Sequence, residues 1–151
     1  MTMVKNIEHL YILYQEKRKT SLTLEQFTTF AEFFPTLMVI TSDGVVDSEE
    51  QLYLKRLSES LGNIFREDGL GDLKINQLIG IFKQEFEYLL HHLETWKEQF
   101  LEGLRGHLET NPHDREAILD TIYLFAETSE DVSEHETQML NYIKKRLHLE
   151  D

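Results

Sequence analysis

The sequence predicts an all-α protein, a compact bundle of about seven helices that includes two related helix-turn-helix hairpins. Apolar residues recur at three- and four-residue spacing along most of the chain, which is the period of an amphipathic helix. No segment alternates apolar and polar residues as a half-buried strand does, and no Asn-Gly hairpin turn occurs. Two prolines and seven glycines are the few helix breakers in 151 residues, so a single helical domain over residues 1–151 is the simplest expectation.

The N-terminal part of the chain predicts two helices. Apolar residues at helical spacing indicate an N-terminal helix over about residues 4–19. Thr23 and Gln26 have the spacing of a capping box and open the next helix. Pro35 falls inside the apolar pattern of that helix, so we expect a kink or short break near Phe33 and Phe34.

The sequence I-T-S-D-G-V-V-D-S-E-E, residues 40–50, follows this helix and is the most informative stretch of the chain. Asp43 and Gly44 form a turn, and Asp47 with Glu50 has the spacing of a second capping box. Gly62 stands where a helix commonly ends in a left-handed residue. The first hairpin is therefore predicted over about residues 23–62, with a loop over residues 63–72.

The second half of the chain predicts two middle helices and another hairpin. Residues 72–109 are helix-compatible throughout, and we expect a joint either at Gly80 or around Thr95. Asn111 and Pro112 read as the N-cap and first residue of the following helix. A capping box of Ser133 and Glu136 then opens the last helix, which gives a second hairpin over about residues 111–148.

The two hairpins align with each other as an internal repeat. The apolar positions and the capping boxes are kept, although few residues are identical. The aligned pairs are Val46 with Val132, Glu50 with Glu136, Leu54 with Leu140, Leu57 with Ile143, Leu61 with Leu147, Phe33 with Leu119, Leu37 with Tyr123 and Met38 with Leu124. The Asp43–Gly44 pair of the first turn is replaced by Ser129 and Glu130 in the second.

The charge of the chain restricts its partners. With 28 acidic and 15 basic residues the formal net charge is −13. Such a chain repels phosphates and anionic lipid surfaces, so we expect no nucleic-acid binding and no direct membrane insertion. Protein partners with basic surfaces and divalent cations are the favoured partner classes, and the oligomeric state is left open.

Other features of the sequence argue against whole classes of site. There is no cysteine, which excludes disulfides, zinc thiolates and cysteine nucleophiles. The N-terminal residues lack the apolar core of a signal peptide, and no uncharged apolar run reaches the roughly 20 residues of a transmembrane helix, so we expect a cytoplasmic protein. The sequence contains no H-E-x-x-H, E-x-x-H, G-x-S-x-G or glycine-rich phosphate motif. We therefore expect no enzyme, while an active site without a known motif remains an alternative.

The acids of the two turns admit two interpretations. As helix caps and first-turn residues they stabilise the helices by roughly 0.5–1 kcal/mol each and need no ligand. Alternatively, they supply the oxygen ligands that Ca²⁺ and Mg²⁺ prefer, as in the second half of an EF-hand loop. Val39 and Thr41 occupy the acidic positions of the first half, which disfavours a complete EF-hand. The candidate metal ligands are Asp43, Asp47, Glu50, Glu127, Glu130 and Glu136.

This pattern resembles the TerB-like family, which includes tellurite-resistance proteins and the N-terminal domain of DjlA co-chaperones. The first turn matches the family motif D-G-x-[hydrophobic]-[S/T/D]-x-x-E through Asp43, Gly44, Val46, Asp47 and Glu50. The second turn has Val132, Ser133 and Glu136 at the positions of Val46, Asp47 and Glu50, but it lacks the Asp-Gly pair. The resemblance covers about residues 23–148 and implies an all-helical bundle whose acidic turns bind divalent metal or associate with partner proteins.

These observations predict a non-enzymatic, acidic, helical binding module of the stress-response type. Protein–protein interaction is its expected function. The alternative function is the binding of a divalent cation, Ca²⁺, Mg²⁺ or Zn²⁺, by the turn acids. No other cofactor is expected.

Overall fold

The structure, a computed structural model, describes residues 4–42, 47–67, 69–126 and 134–149, with the backbone alone at 47–50 and at 126. These ranges contain α-helices and no strand, which confirms the predicted class. The helices are α1 (Ile7–Arg18), α2 (Leu24–Glu32), α3 (Phe34–Ile40), α4 (Asp47–Glu67), α5 (Asp72–Leu90), α6 (Leu93–Thr110), α7 (Asp114–Ala126) and α8 (Glu134–Leu147). Phe33 alone separates α2 from α3, so the two count as one broken helix among about seven.

The start of the first hairpin follows the prediction. The Thr23 side chain accepts a hydrogen bond from the Gln26 backbone N–H, and the Gln26 side chain accepts one from the Thr23 N–H, so the capping box is present. The helix breaks at Phe33, and Pro35 lies in the first turn of α3. Proline is tolerated there because the first helical N–H groups have no partner within the helix.

The predicted helix end at Gly62 is wrong, because α4 continues to Glu67. Gly62 is buried inside α4, where an added Cβ would overlap the Ile79 side chain of α5. The glycine therefore allows two long helices to approach each other, and it does not supply a left-handed turn. With α5 beginning at Asp72, the connection is shorter than the loop predicted at residues 63–72.

Two boundaries in the second half also differ from the prediction. Gly80 lies within α5, and the joint between α5 and α6 falls at His91 and His92, shortly before Thr95. Asn111 does not open α7. It caps the end of α6, where its Nδ2 donates to the carbonyl of His107 at 3.1 Å.

The core is built mainly from aromatic side chains. The fully buried aromatic residues are Tyr14, Phe27, Phe30, Phe34, Phe82, Phe86 and Phe100. Phe34 of α3 stacks on Phe100 of α6 with ring centroids 4.5 Å apart, and Phe30 packs on Phe86 at 4.7 Å. Each such buried ring stabilises the fold by roughly 1.5–3 kcal/mol, so this cluster fixes the arrangement of α1, α2, α3, α5 and α6.

One buried polar network crosses this core. The Tyr14 hydroxyl donates to Glu85 Oε1 at 2.7 Å, and the Arg18 guanidinium donates to both Glu85 oxygens at 2.8 and 3.1 Å. Burial, followed by the Glu85 charge, raises the pKa of Tyr14 above its usual range. Arg18 also lies over the Tyr88 ring at 3.9 Å from its centroid. The network joins α1 to α5.

The two hairpins are arranged differently around the core. Helix α3 packs against α7 and α8 of the second hairpin, whereas α4 packs mainly along α5. Helix α6 packs closely on α1 and on the residues just before it: a Cβ on Gly103 would press against Leu10 of α1, and one on Gly106 would overlap the backbone of Lys5. None of the described helices is long and apolar enough to cross a membrane.

Candidate functional site

The turn acids fall largely outside the part of the chain that the structure describes. Asp43, Glu127 and Glu130 lie outside it, and Asp47 and Glu50 are in the first turn of α4 with their side chains outside it as well. Glu136, in contrast, is described as a buried residue in the first turn of α8. The six-residue cation site therefore stays a prediction.

The residues that flank the two turns are close to each other. Ser42 directly precedes the undescribed part of the first turn, and His135 is the second residue of α8. Both line one cavity of about 280 Å³, together with Lys97 and Tyr142. Ser42 and His135, which flank the two turns, therefore lie on the same end of the bundle.

A groove runs between α4 and α7, and we call it the α4/α7 groove. Arg56 and Asn63 of α4 line a cavity of about 250 Å³ with Leu124 of α7. Ile64 of α4 lines a second cavity, of about 280 Å³, with Ala117 of α7. Later α4 residues face earlier α7 residues, so the two helices run antiparallel, and the groove consists of these two neighbouring cavities, of which the second is also lined by Thr29 and Phe33.

Leu124, which lines the groove, is exposed where the internal repeat departs from symmetry. Leu37 and Met38 of the first hairpin are buried in the core. Their counterparts in the second hairpin, Tyr123 and Leu124, are exposed, and Leu124 is 63% exposed. The second hairpin thus keeps the apolar sequence pattern of the first but leaves two of its members uncovered.

The walls of the α4/α7 groove carry more acids than bases. Glu59 lines the cavity near Leu124, whereas Glu32 and Asp114 line the cavity at the other end. Among the described residues that line the two cavities, Arg56 is the only basic one. The groove therefore combines exposed apolar side chains with acidic ones.

Glu32, His107 and Asp114 come together at one end of this groove. Glu32 is the last residue of α2, His107 is in the last turn of α6, and Asp114 is the first residue of α7. His107 Nε2 lies 2.9 Å from Asp114 Oδ2, and one ligand atom from each of the three residues lies within 4.8 Å of the others. Among the described residues, this is a group of donors that could hold a metal ion.

The protonation of Glu32 reflects this setting. Burial, followed by the negative charge of Asp114, raises the pKa of the Glu32 carboxyl to about 8 from its ordinary 4.5. No hydrogen bond or ion pair to Glu32 occurs among the described residues. The carboxyl is therefore mostly protonated at neutral pH, and a bound cation would favour its ionised form.

Sequence reasoning missed this cluster because its members belong to three different helices. No local spacing links Glu32 to His107, and Asp114 read as an ordinary first-turn acid. One feature of the sequence does point to Glu32. The last turn of a helix favours lysine or arginine, but α2 has no basic residue there and ends in Glu32.

Comparison with protein-family models gave no match, and comparisons with curated proteins and with solved structures gave no significant match.

Proposed function

We propose that this protein is a non-enzymatic binding module whose α4/α7 groove takes a short, basic, amphipathic helix of a partner protein. The observation that carries the proposal is the exposed apolar floor of the groove, formed by Leu124 next to acidic walls. The internal repeat supports it, because the aligned residues of the first hairpin are covered by protein.

The dimensions of the groove support a helix as its occupant. From Arg56 to Ile64 helix α4 rises about 12 Å, which equals a little over two helical turns. Helices that bind in grooves use apolar anchors at i, i+3, i+4 and i+7, a set that spans this length. Leu124 and the exposed Ile64 lie in the two successive cavities and provide contacts for two such anchors.

Charge supports a basic partner. The chain has a formal net charge of −13, and the acids Glu59 and Asp114 line the groove against Arg56, the single base among its described lining residues. Opposite charges at the rim of an interface accelerate association and exclude acidic partners. Lysines or arginines flanking the apolar face of the partner helix would meet these acids.

A fluorescent peptide of leucine and lysine, with leucines at i, i+3, i+4 and i+7, tests the proposal by anisotropy titration. A peptide with glutamate in place of lysine is the control for charge. The protein variants are Leu124→Asp and its matched control Leu73→Asp, which changes an α5 residue that is 74% exposed. Both variants add one negative charge, so general attraction to lysine would strengthen equally in both.

We expect the lysine peptide to bind the wild-type protein and Leu73→Asp alike. Leu124→Asp should lower the affinity roughly tenfold, because an anchor contact is worth about 1.4 kcal/mol or more. The proposal is overturned if the peptide does not bind, or if the two variants bind it equally.

A second candidate function is divalent-cation binding by the two acidic turns. The observation that favours it is the shared cavity of Ser42 and His135, which brings the flanks of both turns to one end of the bundle. The resemblance to the TerB-like family, carried by Asp43, Asp47 and Glu50, supports the same function. Calorimetric titration with Ca²⁺ and Mg²⁺ tests it, and Asp43→Asn is the decisive variant because helix capping does not require Asp43. Equal heats for the wild type and Asp43→Asn would refute it.

A further inference from the structure

The ends of α2, α6 and α7 converge on a mixed set of nitrogen and oxygen donors. Glu32 and Asp114 supply carboxylates, and His107 supplies an imidazole, with the three ligand atoms within 4.8 Å of one another. Two ligands that each lie about 2.0–2.2 Å from a tetrahedral ion are about 3–4 Å apart. Small rotations of these side chains would therefore close the set around one ion.

The surroundings of the cluster favour a positive charge. Neither carboxylate is paired with lysine or arginine in the described part of the chain, and the polar contacts of Asp114 there are to His107 and His113. Helices α2 and α6 both end at the cluster, and the C-terminal end of a helix carries partial negative charge. A cation that displaces the Glu32 proton would be held by both carboxylates, and it would be favoured by the α2 and α6 ends although α7 begins here with its partial positive charge.

The donor types and their burial select the kind of cation. His107 has a side chain that is only 11% exposed, and its Nε2 faces Asp114. Imidazole suits Zn²⁺, Co²⁺ and Ni²⁺, whereas Ca²⁺ and Mg²⁺ require sets of oxygen ligands. The cluster therefore differs in chemistry from the all-carboxylate turns.

The second ring nitrogen of His107, Nδ1, is in contact with Asn111. Asn111 Nδ2 lies 3.4 Å from His107 Nδ1 and 3.1 Å from the His107 carbonyl oxygen. The Asn111 amide also donates to Thr110 Oγ1 at 3.0 Å, so its position at the end of α6 is fixed and it holds the His107 ring in place. The surroundings thus orient the ring of a metal-binding histidine.

We infer that Glu32, His107 and Asp114 form a binding site for a divalent transition-metal ion of the Zn²⁺ class. The fourth position is open to water or to His113, whose Nε2 lies 3.2 Å from the second Asp114 oxygen. By joining three helix ends, the bound ion stabilises the packing of α2, α6 and α7. This site lies at one end of the α4/α7 groove, but its test does not depend on peptide binding.

Titration of chelator-treated protein with ZnCl₂ by calorimetry, and with CoCl₂ by visible absorption, tests the inference. The variants are Glu32→Gln and His107→Gln, and Glu116→Gln is the control for an exposed acid on α7. The metal-free melting temperature of each variant establishes that it folds. Asp43→Asn distinguishes this site from the acidic turns.

We expect one Zn²⁺ per chain, a higher melting temperature with Zn²⁺, and a Co²⁺ spectrum typical of low coordination number. Glu32→Gln and His107→Gln should each lower the Zn²⁺ affinity by roughly 10- to 100-fold or more. That range is the loss typical of changing a residue that only supports a metal ligand, and these two residues are proposed ligands. Glu116→Gln and Asp43→Asn should bind as the wild type does. Absence of Zn²⁺ binding, or full affinity in Glu32→Gln and His107→Gln, overturns the inference.

Discussion

His107 Nε2 lies 2.9 Å from Oδ2 of Asp114, and this contact ties the last turn of α6 to the first residue of α7. Glu32 is the third member of the cluster and, in the described part of the chain, has no hydrogen-bonding partner. Two acids and a histidine thus meet where α2 and α6 end and α7 begins. The stability of the fold is consequently sensitive to pH and to charge at this position.

Glu32→Gln should stabilise the metal-free protein more at high pH than at low pH. The carboxyl ionises around pH 4.5 in the unfolded chain, whereas its pKa in the folded protein is about 8. The unfolded state therefore gives up the proton first, and wild-type stability falls as the pH rises from about 4.5 to about 8. Glutamine removes this loss.

The measurement is the difference in melting temperature between Glu32→Gln and the wild type, taken in chelator from pH 4 to pH 9. The difference should grow up to about pH 8 and then level off. Glu116→Gln separates this effect from the simple loss of one negative charge. A difference that is independent of pH would contradict the prediction.

Arg18→Met should destabilise the protein by about 2–3 kcal/mol, because it leaves the Glu85 carboxylate buried without a cation. This is below the roughly 3–5 kcal/mol for a fully buried pair, since the Arg18 side chain is 24% exposed. Urea denaturation measures the change. The double variant Arg18→Met with Glu85→Met should recover only part of the loss, because the buried Tyr14 hydroxyl then lacks its acceptor, and an additive loss would contradict this explanation.

Two glycines should respond in opposite directions to alanine. Gly80→Ala should stabilise the protein by about 0.5–1 kcal/mol, because the position is an exposed helix interior with open space for a Cβ. Gly106→Ala should destabilise it by about 1–3 kcal/mol, because the Cβ would overlap the Lys5 backbone. Thermal or urea unfolding measures both, and the same sign for both variants would contradict the α1–α6 packing.

The sequence was informative wherever a short-range interaction decides the structure. The capping box of Thr23 and Gln26 depends on two residues that are three apart. The break at Phe33 depends on Pro35, two residues further along the chain. Gly62 was misread because a glycine within a helix and a glycine at its end have the same local pattern. Only the contact with Ile79 of another helix distinguishes the two.

The candidate sites were harder to predict, because they depend on contacts between residues that are distant in the sequence. The turn acids were found because they are close together in sequence, but much of that region lies outside the described residues. Glu32 and His107 are brought together by helix packing, which no spacing rule records. The exposure of Leu124 was equally hidden, because its apolar pattern matches that of the buried Met38.

The most direct test of groove binding is a map of backbone amide chemical shifts in ¹⁵N-labelled protein titrated with the leucine-lysine peptide. We expect the largest changes at residues 56–64 of α4 and 117–125 of α7, with smaller changes on α5 around Leu73. Changes centred on α5, or spread evenly over the acidic surface, would show that the peptide binds elsewhere and would contradict the proposed function.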